Sequence, residues 1–252
     1  MTRHPDLPDI DDPTRTMRMQ RTYKREIKGL YLDFVDPLLE RIKPTIAKYN
    51  KLSLLDDISN DIDMEMHLRI DMRSRHIVEK NITLTYRSGK RDASNNPRIK
   101  RQHVVIPVEM NPLDQDAIRN LYARNLNLID NISQNVKTQV LITIESGIRQ
   151  HEGINKIARD LKNKIPEIAD TRAKVIARTE LAYAYNVAIS NSYQAAGIKQ
   201  WQWLSALAET TCQDCQNLHG QVFDFGDPEP PLHPNCLCTE YPIVLEPFEV
   251  KY

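Results

Sequence analysis

The sequence predicts an α+β protein, mainly α: an elongated helical N-terminal part with a β-arm, then a helical lobe closed by a small C-terminal module of strands and cysteine–histidine knuckles. Three observations carry this expectation. Aromatic residues make up only 6% and glycines number 7 among 252 residues, while aliphatic and charged residues are plentiful, a balance that favours helix over sandwich or barrel. Most apolar residues recur at three- and four-residue spacing. All four cysteines fall between Cys212 and Cys238, with His233 among them.

Taken in order, residues 1–13 are Pro/Asp-rich and read as a disordered leader. From Thr14 to Asn50 the positions Ile27, Leu30, Tyr31, Phe34 and Leu38 form the apolar stripe of an amphipathic helix, interrupted at Pro37 and Pro44. Ser53 suits the N-cap of a second helix running to about Ser74. Then Ile82, Leu84 and Tyr86 alternate, Arg87-Ser88-Gly89-Lys90 turns the chain, and Val104, Ile106 and Val108 alternate again, which predicts two strands around a basic loop at 87–102. Asn111-Pro112 restarts helix to about Gly147, because Pro112 suits a first turn. A short helix from Ile154 ends near Pro166, and an Ala-rich one at 167–196 is stopped by Gly197. Ile198 to Leu207, with Trp201 and Trp203 on one face, reads as a strand, and Tyr241, Ile243 and Leu245 as a last short one. The domain organisation expected is a leader at 1–13, a helical region with a basic β-arm at 14–110, and a lobe at 111–252 with the knuckle module at 198–245.

Composition excludes several classes. No apolar run approaches the ~20 residues of a membrane span, and MTRHPDLPDIDDPTR lacks the apolar segment of a signal peptide. A reducing compartment is therefore the default, so a disulfide framework is the weaker reading of the cysteines. The 34 basic and 34 acidic residues balance overall but not locally. Residues 66–101 hold ten Lys/Arg against three acids, and residues 205–252 hold eight acids against Lys251. The basic stretch marks Arg87, Lys90, Arg91, Lys100 and Arg101 as contacts for DNA or for an acidic protein surface. With Tyr86 its only aromatic, it is not built to stack on single-stranded bases.

The cysteines carry the strongest signal. Cys212-Gln213-Asp214-Cys215 curls two thiolates toward one metal, and after 17 intervening residues His233-Pro234-Asn235-Cys236 repeats the spacing. Cys212, Cys215, His233 and Cys236 are the favoured Zn²⁺ ligands, with Cys238 as the alternate. A redox C-x-x-C would want a thioredoxin-like βαβ setting that is not apparent here. A surplus of ligands reads as a closed, structural site, since catalytic zinc keeps an open position. The acidic surroundings speak against a nucleic-acid grip by the knuckles themselves.

Three stretches in order resemble one family. They are Gly147-Ile148-Arg149-Gln150-His151-Glu152-Gly153-Ile154 continuing to Leu161; Ile176-Ala177-Arg178-Thr179-Glu180 with Asn186 following; and Trp201-Gln202-Trp203 with the two cysteine knuckles. Over about residues 120–245 the chain resembles the phage Mu F-type minor head proteins, also called phage head morphogenesis proteins. Leu237 departs from the pattern, because the family usually places Arg between the last two cysteines. The resemblance implies a minor capsid protein assembled in the host cytoplasm and carried in the virion, at the capsid interior or portal vertex. It implies the portal protein as partner, with scaffold, major capsid protein and packaged DNA as further candidates, and no membrane. It implies no enzyme and no catalytic residue; the alternative is a zinc-dependent nuclease or hydrolase acting on viral DNA. On a helix Arg178 and Glu180 diverge by about 200°, so Arg178, Thr179, Glu180 and Asn186 read as a structural motif that pins their helix to the knuckles.

Overall fold

The computed structural model describes residues 7–8, 10–49, 55–206, 208–209, 211–226 and 228–244. It is mainly helical with one small antiparallel sheet. The helices are α1 (Met17–Tyr49), α2 (Leu55–Met66), α3 (Met72–Asn95), α4 (Pro97–Arg101), α5 (Pro112–Arg149), α6 (Ile154–Ala195) and α7 (Gln213–Leu218). The strands β1 (Gln200–Leu204), β2 (Val222–Asp224) and β3 (Thr239–Ile243) lie in the order β2-β1-β3. The cap expected at Ser53 and the strand position Leu245 lie outside the described residues. The chain divides into two compact units, residues 1–21, 80–122 and 177–252 in one and residues 22–79 and 123–176 in the other.

Within residues 22–79 and 123–176 the core is made of helix stripes. Tyr31 on α1 donates its hydroxyl proton to the Ile129 carbonyl of α5 at 3.0 Å, while Lys24 and Lys28 both reach Asp170 of α6 at 2.9 Å. The interruptions expected at Pro37 and Pro44 do not occur, and α1 runs through both. Its buried residues Leu30, Phe34, Leu38, Ile42 and Ile46 continue at four-residue spacing past each proline. Burial of that stripe, at ~1.5–3 kcal/mol per large side chain, outweighs the ~3 kcal/mol of each interior proline. The same reason corrects the break expected near Pro166. Ile157, Leu161, Ile165, Ala169 and Ala173 are buried in unbroken register, so α6 is one helix of 42 residues.

The expected β-arm is also corrected: residues 72–95 are helix, and the segment 104–108 is buried at Val104 and Ile106 without joining a sheet. The alternation of Ile82, Leu84 and Tyr86 misleads because Leu84 is 50% exposed, and only Ile82 and Tyr86 belong to the core. They continue a run buried at every fourth position, namely Ile58, Ile62, Met66, Ile70, Ser74, Val78, Ile82, Tyr86 and Lys90. A four-residue repeat gains about 40° per step on a regular α-helix. The π-helical turn His67–Asp71 between α2 and α3 takes up part of that rotation. The turn expected at Gly89 is helix as well. A Cβ at Gly89 would lie 2.7 Å from the Tyr185 carbonyl oxygen of α6, so its glycine serves a close approach of two helices.

Lys90, expected to face a partner, is instead buried and donates to Asp114 at 2.5 Å. Asp114 and Asn111 cap α5 reciprocally: each backbone N–H donates to the other's side chain at 2.9 Å, and the Tyr86 hydroxyl adds a donor to Asp114 at 2.8 Å. Burial alone would raise the Asp114 pKa, but the Asn111 amide, the Lys90 ammonium and the Tyr86 hydroxyl together hold it below the ordinary carboxylate range. Of the other four basic residues singled out, Arg87, Arg91, Lys100 and Arg101 are all exposed.

Lys90→Met should destabilise the protein by about 3–5 kcal/mol in urea unfolding, because it strands a buried carboxylate, and Lys90→Met with Asp114→Asn should recover most of that loss. Because the folded carboxyl binds fewer protons than the unfolded one, its contribution is present above the unfolded pKa, near 4, and lost as the pH falls below it. Asp114→Asn should therefore flatten the acid limb of Tm against pH.

Candidate metal centre

The site grows from β1. Trp201 and Trp203 project from one face of this strand, their ring centroids 5.6 Å apart, and Phe223 of β2 completes the aromatic layer at 5.2 Å from Trp201. Both tryptophans are fully buried and share a core with Cys215, Cys236 and Cys238. Past β1 the chain enters the first knuckle, where the Cys212 sulfur caps α7 by accepting the Cys215 amide at 3.4 Å. The connection from β2 to β3 brings the second knuckle, folded back by a Cys236 amide bond to the His233 carbonyl at 3.2 Å.

The two knuckles converge. His233 Nε2 lies 3.1 Å from Cys212 Sγ and 3.3 Å from Cys215 Sγ, and Cys215 Sγ lies 3.7 Å from Cys236 Sγ. Two ligand triads result, Cys212–Cys215–His233 and Cys215–Cys236–Cys238, sharing Cys215. Zn–S bonds of ~2.3 Å and Zn–N bonds of ~2.0–2.1 Å in tetrahedral array require ligand atoms about 3.6–3.8 Å apart. The Cys215–Cys236 separation meets that value, and the histidine contacts fall slightly inside it. His233 Nδ1 donates to the Pro234 carbonyl at 2.9 Å, which leaves Nε2 of the neutral ring with its lone pair toward the sulfurs. The donor set therefore fits a thiophilic dication such as Zn²⁺.

Electrostatics favour thiolate on part of the cluster. The Cys215 amide holds the Cys212 thiol below the ordinary cysteine range, and hydrogen bonds from the neighbouring thiols of Cys215 and Cys238 pull Cys236 down. Cys215, the donor to Cys236, is pushed up in turn. Acceptance of the Nδ1 proton by the Pro234 carbonyl raises His233.

Helix α6 fastens the second knuckle from outside. Arg178 Nε donates to the Asn235 carbonyl at 2.9 Å, and the Asn235 amide donates to Thr179 Oγ1 at 3.1 Å. Both ends of one residue are thus held, and its φ of 66° is one that asparagine tolerates. Two turns on, Asn186 Nδ2 donates to the Cys238 carbonyl at 2.9 Å, while its Oδ1 accepts from Thr239 at 2.6 Å. Glu180 is buried on the same helix. Beside the cluster lies a cavity of about 400 Å³, bordered by Arg178, Thr211, Asn235 and the ligand residues.

Residues 134–241, which hold the cluster and all of α6, match the family described as Phage Mu protein F like protein. That similarity suggests a role in phage head morphogenesis and a virion-associated protein. The chain is also similar to an uncharacterized protein of Haemophilus influenzae (strain Rd), 25% identical over 138 residues, covering 51% of this chain and 30% of that relative. No solved structure matches. Among the described residues no helix is long and apolar enough to cross a membrane.

The matched region brings all five predicted ligands together and sets Arg178 and Thr179 against the Asn235 backbone and Asn186 against the Cys238 carbonyl. Sequence reasoning quoted Asn235 but gave it no role, and it missed Ser205, whose hydroxyl donates to the Cys215 carbonyl at 2.5 Å and lies 3.6 Å from Cys238 Sγ. Leu237, the departure from the family pattern, packs with Ala182, Ala206 and Met17 in a small apolar cluster. Its side chain has an apolar seat where a guanidinium would be desolvated.

Asn186→Ala removes two buried hydrogen bonds, worth about 1 kcal/mol each. Alkylation of Cys236 and Cys238 by iodoacetamide should quicken several-fold relative to wild type, with hydrogen exchange in residues 22–46 unchanged.

Proposed function

We propose that the chain is a minor capsid protein that docks at the portal vertex during prohead assembly, its C-terminal strands locked to α6 by a structural Zn²⁺. Cys212, Cys215, His233 and Cys236 would hold the metal, with Cys238 as the alternate thiolate. The metal would supply cross-linking between two knuckles that have little core of their own. The observation that carries this reading is the fastening of the Asn235 peptide by Arg178 and Thr179. Side chains spent on holding the ligand loop in place suit a clasp better than a site that must admit substrate.

The exposed cations Arg87 and Arg91 on α3 and Lys100 and Arg101 on α4 supply the surface for an acidic portal face or for packaged duplex. Lys90 is removed from that surface by its bond to Asp114. The alternative, a zinc-dependent hydrolase acting on viral DNA, draws support from the cavity of about 400 Å³ beside the ligands, where Arg178 could meet a phosphate.

Purified protein should carry about one zinc per chain, and removal of the metal by a chelator should lower Tm and quicken hydrogen exchange in both knuckles. Metal retention should fall as the pH is lowered, since the ligand thiols and imidazole must be deprotonated to bind. DNA cleavage lost in a folded His233→Ala variant would favour the hydrolase instead. Reversal of the four exposed charges to Glu should abolish co-purification with the portal protein while leaving the circular dichroism spectrum unchanged. Retained co-purification would remove this surface from the docking role.

A further inference from the structure

Within the unit built from residues 22–79 and 123–176, the helical run from α2 through the π turn into α3 carries two opposed stripes. The inner one is the buried four-residue repeat Ile58, Ile62, Met66, Ile70, Ser74 and Val78. Half a turn away, Asp56, Asn60, Met64, Leu68, Met72 and His76 repeat at the same interval, and every one is exposed. The π turn His67–Asp71, which helps to keep the inner stripe on the core, keeps the outer one straight as well. At its centre Met64, Leu68 and Met72 are 53%, 45% and 62% exposed. A lone exposed apolar residue is ordinary, whereas three in line on one helix face form a patch that a partner can cover.

The charges beside the stripe decide what fits it. Before Leu68 stand Asp56, Asp57, Asp61 and Asp63; between Leu68 and Val78 stand Arg69, Arg73 and Arg75 against Asp71. A helix face acidic at one end, apolar in the middle and basic at the other is complementary to itself turned end for end. In an antiparallel pair centred on Leu68, Met64 of each copy meets Met72 of the other, and Asn60 meets His76. Asp63 then lies beside Arg75 of the other copy, on the same flank of the helix. Arg69 and Arg73 are paired with Glu65 and Asp33 in their own unit, which leaves exposed Arg75 as the cation offered across the contact. Asp63 bonds Lys137, but its carboxylate is 54% exposed and has lone pairs for a second donor. A parallel pair would set aspartates against aspartates. An anionic lipid surface or a nucleic acid would meet the same four aspartates.

We propose that this face pairs with the same face of a second copy of the chain, antiparallel about Leu68. The inference is independent of the metal and of any role in head assembly. Three apolar side chains per copy make a small contact, so the pair is weak, and the flanking charges set its orientation more than its affinity.

Sedimentation equilibrium of the full-length protein at low ionic strength tests this pairing. The weight-average mass should rise with concentration from one chain toward two, and added salt should reduce the association. Leu68→Glu, at an exposed position, should weaken association about tenfold or more with the circular dichroism spectrum unchanged. Asp63→Lys and Arg75→Glu should each weaken it several-fold, because each sets like charges side by side twice in the pair. The double variant should recover the loss, which a mere change in local structure would not do. The mass of one chain at every concentration up to about 0.3 mM would overturn the proposal. So would an association that folded Leu68→Glu leaves unchanged, or a double variant that recovers nothing. Hydrogen exchange at residues 64–72 slowed only by a different virion protein would give the face to that protein and overturn the pairing of copies.

Discussion

The C-terminal strands depend on one peptide held at both ends. Asn235 is the residue where the second knuckle must reverse direction, and it adopts a left-handed backbone to do so. Arg178 takes its carbonyl and Thr179 its amide, so α6 fixes the position from which His233, Cys236 and Cys238 reach the first knuckle. Without that constraint the connection between β2 and β3 has few apolar side chains to place it. Asn186 repeats the device one step further along, joining the Cys238 carbonyl and the Thr239 hydroxyl. The cluster of ligands is therefore a consequence of how a helix binds a loop, and a metal would tighten an arrangement that already stands.

That dependence explains why the cysteine–histidine site was legible in the sequence and the middle of the chain was not. Metal-ligand chemistry needs particular residue types at short spacing, so Cys212, Cys215, His233 and Cys236 announce themselves before any fold is known. The helix carrying Arg178 to Asn186 was legible for a similar reason, since its buried Ala177, Leu181, Ala184 and Ala188 recur at three- and four-residue spacing. Residues 72–95 present no comparable signal. Their core face passes through Ser74, Asn81, Thr85 and Lys90 as well as Val78, Ile82 and Tyr86, so polar and apolar letters are mixed along a stripe that is entirely buried. Gly89 reads as a turn until the Tyr185 carbonyl of α6 is seen where its side chain would be. Prolines 37, 44 and 166 mislead for the opposite reason: local cost is visible in one letter, whereas the compensating burial is spread over several turns.

Charge in the sequence was likewise a poor guide to charge on the surface. Of the ten basic residues at 66–101, Lys90 is consumed by Asp114, Arg69 by Glu65, Arg73 by Asp33, and Arg98 by Gln202 and the ring of Tyr241. These pairs belong to the structure of their own units. Arg98 is the clearest case: it spans from α4 to β1 and β3, donating to Gln202 at 2.7 Å and to the Pro242 carbonyl at 3.1 Å. A net charge counted over a segment overstates what a partner would meet whenever the segment is half buried. Lys80 is half-buried, and what is left exposed for a partner is a smaller set, Arg75, Arg87, Arg91, Lys100 and Arg101.

The fifth ligand residue follows from the same logic. Four side chains satisfy a tetrahedral metal, so Cys238 is surplus if the site is counted only by donors. Its backbone carbonyl, however, receives Asn186, and its sulfur approaches the Ser205 hydroxyl that also holds the Cys215 carbonyl. Cys238 thus links the second knuckle to the first through Ser205 without needing the metal at all. A small, weakly polar side chain fits there among Trp201, Trp203 and the other thiols, where a larger one would displace the aromatic layer. The surplus cysteine is explained by packing and by its backbone, and the same arrangement would keep a thiol within reach of a bound metal if Cys236 were lost.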